Sequence, residues 1–157
     1  MSFMSSHWPV EERGRIPNNG PNSGNGIASL RVSGIDLIPE EITNLLGASP
    51  TKSYAKGDDL STSNVRTRIA KNGTWQLHAN ATEPEDFNLQ VAELFHGLTD
   101  DLKIWSDLAC RFKVDIFCGW FMQEGNEGVD ISPSTLLMLG ERSIALAIDI
   151  YGPDDKI

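Results

Sequence analysis

The sequence predicts an α+β domain in which helices cover one face of a mixed five-stranded sheet. Three observations predict it: apolar and polar residues alternate over Ala28–Gly34, two helical segments open on Pro39 and Pro133, and a hairpin signal turns at Asn72-Gly73. The order of elements is strand, helix, hairpin, helix, strand, helix, strand. With the hairpin counted as two strands, the first six elements match the split β-α-β unit of a ferredoxin-like sandwich, extended by one α-β unit.

The composition restricts the partners that this chain can have. Its 157 residues carry a formal net charge of −9, which suits one soluble domain. The sequence-independent part of binding to nucleic acid or to an anionic membrane needs clustered Lys and Arg. We therefore expect no nucleic-acid and no membrane partner.

The compartment is predicted from what the sequence lacks. No segment reaches the roughly 20 apolar residues that span a bilayer, and the first residues show no signal peptide. Cys110 and Cys118 are too few for a secreted disulfide framework, so we expect reduced thiols. These points predict a cytoplasmic protein.

Low-complexity sequence marks the predicted domain boundaries. Residues 1–26 are rich in Gly, Asn and Pro, which predicts a flexible leader. Residues 28–152 form the predicted α+β domain, and residues 153–157 are a short C-terminal tail.

The first strand and helix have clear signals. The strand Ala28–Gly34 places Leu30 and Val32 on one face and Arg31 on the other. The helix Pro39–Gly47 begins with a proline and two acidic residues and ends at a glycine. The polar connection Ala48–Asn64 is long for a compact domain, so it is either a lid or contains a short edge strand.

The segment Val65–Ala79 predicts a hairpin. A two-residue turn would mix arginines into the apolar face. A three-residue turn, with Gly73 left-handed, pairs Ile69 with Trp75 and separates the faces, so this register is favoured. The polar face of the predicted hairpin then carries Arg66, Arg68, Gln76 and His78.

The second half adds three helical segments and two strands. A capping box at Thr82–Glu85 opens a helix that breaks at Gly97, and a further helical segment follows. Arg111–Met122 is a predicted strand, Ser132 caps a helix, and Ile144–Tyr151 is the closing strand.

Several of these segments resemble a bacterial family of unknown function, domain-of-unknown-function family number 4279. The residues that carry the resemblance are Gly34–Pro50, Lys56-Gly57-Asp58, Gly73-Thr74-Trp75, Ile131-Ser132-Pro133 and Ile144–Tyr151. It covers about Ala28 to Gly152. The resemblance implies a small bacterial α+β domain, and it assigns no catalytic or ligand residues.

The sequence shows no arrangement typical of an active site. The three histidines lie in different elements, no His, Cys and Asp set has metal-ligand spacing, and no phosphate loop or nucleophile elbow is present. We therefore expect no catalytic residue, no metal and no cofactor, although whether the chain is an enzyme stays open.

One predicted surface is a candidate site for a ligand or partner. Because helices cover one face of such a sheet, the polar residues of every strand share the other face. From the strand order of this fold, we expect the second hairpin strand and the strand Arg111–Met122 to flank the first strand on either side. The predicted face is cationic within an acidic chain, and it contains Arg31, Arg66, Arg68, Gln76, His78, Lys113, Asp115, Phe117 and Tyr151. A solvated sheet face with polar cross-strand pairs is the structural alternative.

Two functional hypotheses follow. The first is a non-enzymatic protein-binding module, immunity-like or accessory. If it neutralised a basic toxin, it should use its acidic residues, which are Glu40, Glu41, Asp58, Asp59, Glu83, Glu85 and Asp86. The second is a small-anion sensor or enzyme on the cationic face, with His78 as acid or base and Arg66 and Arg68 as anion clamps. Self-association as a homodimer through the same face is a further alternative.

Overall fold

A computed structural model describes residues 26–62, 66–80 and 86–153 of the chain. The predicted leader, apart from Gly26, and the C-terminal tail beyond Pro153 lie outside these ranges. In chain order the elements are β1 (Ala28–Gly34), α1 (Pro39–Leu46), β2 (Lys52–Tyr54), β3 (Gly73–His78), α2 (Phe87–His96), α3 (Leu102–Arg111), β4 (Lys113–Phe121), α4 (Pro133–Glu141) and β5 (Ala145–Tyr151). The predicted α+β class is confirmed.

The five strands form one mixed sheet in the order β2-β3-β1-β4-β5. β1 pairs antiparallel with both β3 and β4, and β3 pairs antiparallel with β2. β4 and β5 are parallel, which the α4 crossover between them allows. The expectation that β3 and β4 flank β1 is confirmed.

All four helices pack against one face of the sheet. Their buried residues form one core cluster with Leu30 and Val32 of β1, Trp75 of β3 and Ile116 of β4. The indole N–H of Trp75 donates to the hydroxyl of Thr43 on α1 at 3.0 Å, which fixes that helix against β3. No helix within the described ranges is long and apolar enough to cross a membrane.

The helix ends follow local chemistry. Pro39 opens α1 and Gly47 ends it in the left-handed region at φ 80°. Ser132 caps α4 by accepting a hydrogen bond from the backbone N–H of Thr135, as predicted. The predicted capping box at residues 82–85 lies outside the described residues, and the side chain of Asp86 caps α2.

The predicted hairpin register is wrong. Trp75 lies opposite Val32 of β1 and Ser53 of β2, not opposite Ile69. The connection Ala48–Asn64 contains the edge strand β2, which takes the place beside β3 that the first hairpin arm was expected to fill. Ile69 forms an isolated bridge with Asp59 instead. Of the two readings of this connection, the edge strand is therefore the one observed.

Gly73 has a different role from the predicted left-handed turn residue. Among the described glycines, positive φ angles occur at Gly47 and Gly57, not at Gly73. A Cβ atom on Gly73 would lie 2.5 Å from the carbonyl oxygen of Leu37 and 2.9 Å from the Leu37 Cβ. Glycine is needed here because the chain leading into α1 packs directly on the start of β3.

Candidate functional site

The sheet face opposite the helices is the candidate site, and we call it the open face. Side chains alternate along each strand, so the registers decide which residues share it. Arg31 occupies the central strand, opposite Gln76 of β3 on one side and Asp115 of β4 on the other. The charged, aromatic and larger polar residues of the open face are Arg31, Lys52, Tyr54, Gln76, His78, Lys113, Asp115, Phe117, Phe121, Asp149 and Tyr151.

An ion pair lies at the centre of the open face. Arg31 Nε donates to Asp115 Oδ1 at 2.8 Å, and Arg31 Nη2 donates to Asp115 Oδ2 at 2.7 Å. Asp115 is only 2% exposed. The guanidinium also lies over the ring of Phe117, 4.3 Å from its centroid. This bidentate, stacked geometry holds the Arg31 side chain flat on the sheet.

His78 lies at the β3 side of the open face. One ring nitrogen, Nε2, is 3.4 Å from the side-chain oxygen of Gln76, and the backbone N–H of His78 donates to the Thr51 hydroxyl at 3.0 Å. Partial burial lowers the pKa of His78 from its ordinary value of 6.5, and the positive charge of Lys52 lowers it further. The lowered pKa favours the neutral form of His78.

The lowered pKa predicts a pH effect on stability. The unfolded chain binds a proton at His78 near pH 6.5, whereas the folded chain binds it only at lower pH. Protonation of His78 should therefore lower the free energy of unfolding as the pH drops below about 6.5. His78→Asn lacks this protonation, so the variant should gain stability relative to the wild type as the pH is lowered.

Urea unfolding at a series of pH values measures this difference. Lys52→Gln removes the neighbouring positive charge and should reduce the pH dependence only in part, because burial is the larger cause. Parallel stability curves for the wild type and His78→Asn would contradict the prediction.

An aromatic pair lies at the other end of the open face. The rings of Phe121 and Tyr151 stack with centroids 4.7 Å apart and planes 10° from parallel. Tyr151 was predicted on this face, but Phe121 was missed. Its position four residues after Phe117 on the same strand was the available signal, since every second residue shares a face.

β2 contributes two residues of the connection Ala48–Asn64, for which the sequence allows either a lid or a short edge strand. Lys52 lies opposite Gln76, and Tyr54 lies opposite Thr74. The Lys52 ammonium is 5.7 Å from the centroid of the Tyr54 ring. Finding them required the pairing of β2, which is only three residues long and shows little alternation.

Arg66 and Arg68 do not lie on the open face, which corrects the prediction. Both are exposed in the segment that precedes β3. The carbonyl of Arg68 accepts a hydrogen bond from the Leu60 N–H at 2.7 Å, and its own N–H donates to the Ser61 hydroxyl. This segment pairs with residues 58–60 rather than with β3, because β2 already occupies that edge.

The displacement of the two arginines changes the charge of the site. Among the described strand residues the open face carries three cations, Arg31, Lys52 and Lys113, and two carboxylates, Asp115 and Asp149. The surface is thus mildly cationic within a chain of net charge −9. The strands of the sheet include His78 but not Arg66 or Arg68, so the strand pairing does not bring these three residues of the proposed anion clamp together.

The described residues offer little metal chemistry. No group of three or more His, Cys, Asp and Glu side chains within the described ranges is placed to hold a metal ion. What the open face provides is a fixed guanidinium, exposed or half-buried aromatic rings and rim ammonium groups. Arginine and aromatic residues are enriched in protein interfaces.

The comparison with protein families gave a match. A family model described as a domain of unknown function, DUF4279, matches residues 23–153, which is most of the chain. Comparisons with curated proteins and with solved structures gave no match.

Proposed function

Because this chain belongs to the DUF4279 family, whose description names no activity, we propose a function from its own surface. We propose that the protein is a non-enzymatic, accessory protein-binding module that recognises its partner with the open face. The observation that carries the proposal is a sheet face left uncovered by all four helices, with Arg31 held between Asp115 and Phe117 at its centre.

The composition of the open face supports a protein partner. Arginine and aromatic residues dominate the energy of protein interfaces, and preorganised side chains lose little entropy on binding. Arg31 is already ordered by its ion pair, and Phe121 and Tyr151 are ordered by stacking. Lys52 and Lys113 add positive charge at the rim. The matching partner surface is apolar at its centre and acidic at its edge.

The geometry gives less support to a small-anion sensor or enzyme. The most central cation, Arg31, already binds both oxygens of Asp115, and this carboxylate neutralises the positive charge that would attract an incoming anion. The His78 ring nitrogen Nε2 lies 3.4 Å from the side-chain oxygen of Gln76, which is neither a carboxylate nor a nucleophile.

An immunity-like role through the acidic residues also receives less support. Several of these carboxylates have structural partners: Glu41 binds Arg111, Asp59 accepts from the Ser61 N–H, and Asp86 caps α2. Glu83 and Glu85 lie outside the described residues. We therefore place the binding surface on the sheet.

The proposal also covers the fold class of the domain and the cellular location of the protein. The order β2-β3-β1-β4, with each neighbour antiparallel, supports a ferredoxin-like sandwich to which α4 and β5 are added. Cys110 and Cys118 are not joined in a disulfide bond, which supports a cytoplasmic location.

The test compares charge reversals on two sides of the molecule. The immobilised wild-type chain is used to capture proteins from cells of its source, and a captured protein is then purified and titrated. Reversing Lys52 and Lys113 to glutamate should weaken its binding by about tenfold or more, since rim charges of the correct sign assist association. Raising the salt concentration should weaken wild-type binding in the same direction.

Lys103→Glu is the matched control. Lys103 is exposed on α3, on the helix side of the sheet, where it pairs with Asp107. Its reversal changes the net charge in the same sense and should leave binding unchanged. If Lys103→Glu weakens binding as much as Lys52→Glu, or if only reversals of acidic residues do so, the open face is not the binding surface.

A further inference from the structure

Within the described residues, no strand pairs with the outer edge of β5. β5 is the last strand of the sheet order, and its seven residues contain one charged side chain, Asp149. Ile150 is 65% exposed. Exposed edge strands are normally shortened, charged or covered, because their free N–H and C=O groups pair readily with another strand.

The hydrogen bonds to β4 show which backbone groups of β5 face outward. The backbone N–H of Met122 donates to the carbonyl of Tyr151 at 2.9 Å, so Tyr151 turns its backbone groups toward β4. These groups alternate from residue to residue along a strand. The N–H and C=O groups of Leu146, Ile148 and Ile150 therefore face the outer edge, where the described residues place no further strand.

This edge is complementary to itself. In an antiparallel pair of two β5 strands centred on Ile148, each Ile148 faces the other, and each Leu146 faces Ile150. All three of these residues have outward backbone groups, so the pairing forms six hydrogen bonds. The aliphatic side chains share the helix side of both sheets, while Asp149 faces Ala147 instead of a second Asp149.

The surrounding charges favour the same partner. Between Pro133 and Tyr151 the charged residues are Glu141, Arg142 and Asp149, and the first two pair with each other at 2.8 Å. Two copies of an acidic chain therefore meet with little repulsion at this edge. α4 packs on β5 and carries two more exposed leucines, Leu136 and Leu137.

We propose that two copies of this chain form a two-fold symmetric dimer by pairing their β5 edges antiparallel about Ile148, so that the two sheets become one of ten strands. This interface is separate from the open face, and it does not depend on the proposed partner. The two-fold axis limits this assembly to two copies, because the pairing occupies the outer edge of β5 in both of them.

Sedimentation of the full chain gives the first test. The wild type should have twice the mass of the 17.3 kDa chain. Ile150→Lys places a charge beside the paired edge and should halve the measured mass, because a lysine there opposes strand pairing. The control is Ile35→Lys, which replaces an equally exposed isoleucine after β1 and should leave the mass unchanged.

Disulfide trapping tests the register even if Ile150→Lys does not fold. In a background of Cys110→Ser and Cys118→Ala, which removes the thiol that lies opposite residue 148 on β4, Ile148→Cys should cross-link to itself, since opposed residues of a hydrogen-bonded pair lie about 5.5 Å apart. Ile150→Cys alone should not, because its two copies would be roughly 14 Å apart along the strands. Mixing Ile150→Cys with Leu146→Cys should restore the cross-link.

A wild-type monomer at every concentration measured would overturn the proposal. So would a dimer whose mass Ile150→Lys leaves unchanged, or cross-linking of Ile150→Cys alone in place of Ile148→Cys.

Discussion

Replacing Asp115 by alanine is expected to lower the free energy of unfolding by about 3 kcal/mol, the lower end of the range for breaking a buried ion pair. Asp115 is 2% exposed, and its two oxygens accept both hydrogen bonds from Arg31. Without the carboxylate, the mostly buried guanidinium on the central strand loses the ion pair that these two oxygens provide. The Arg31 side chain is 18% exposed, so water relieves part of the cost.

A double-mutant cycle separates the energy of the ion pair from the energy with which its two side chains pack. Arg31→Met with Asp115→Leu should recover much of the stability lost in Asp115→Ala, because no buried charge remains unpaired. Urea unfolding monitored by tryptophan fluorescence measures the wild type, Arg31→Met, Asp115→Leu and the double variant of the cycle, with Asp115→Ala alongside them.

The exposed pair of Arg111 and Glu41 provides the control for the cycle. Its nitrogen and oxygen lie 2.7 Å apart, but both side chains are solvent-accessible. Glu41→Gln should therefore change stability far less than Asp115→Ala, since water screens such pairs. Equal losses for the two substitutions would show that burial of Asp115 is not the cause.

Replacing Gly73 by alanine is expected to cost about 3 kcal/mol, near the upper end for overpacking. The added methyl group would lie 2.5 Å from the backbone carbonyl of Leu37, which cannot move without shifting the start of α1. Gly140→Ala is the matched control. Its added Cβ has no heavy atom within 4 Å in the described structure, and an alanine in α4 should add about 0.5–1 kcal/mol.

Gly73→Asn distinguishes close packing from a left-handed turn. Asparagine tolerates the left-handed region better than alanine, so a turn residue would accept it with a smaller loss. Against the carbonyl of Leu37, the larger asparagine should destabilise at least as much as alanine. Urea unfolding of the three variants measures the order, and an asparagine variant more stable than the alanine variant would contradict the packing explanation.

The central part of the candidate site could be predicted from the sequence because it depends on alternation alone. Arg31, Gln76 and Asp115 each lie between apolar neighbours on strands with strong period-two patterns, so their shared face follows once the three strands are adjacent. Their mutual pairing was not predictable, because it depends on a register that no local turn sets.

The periphery of the site was not predictable for a related reason. The Asn72-Gly73 dipeptide is a strong hairpin signal, yet β3 pairs with β1 and β2 and leaves Arg66 and Arg68 outside the sheet. Lys52–Tyr54 has too few residues to show a period, and its pairing is stabilised only once β3 is in place.

The sequence by itself determined the α+β class, the helix ends at Gly47 and Ser132, and the apolar faces of β1 and β4, because these depend on neighbouring residues along the chain. Only the tertiary structure decided which strand lies beside β3, and why Gly73 must be glycine. Both depend on contacts between residues distant in sequence, where competition for one sheet edge outweighs a local turn preference.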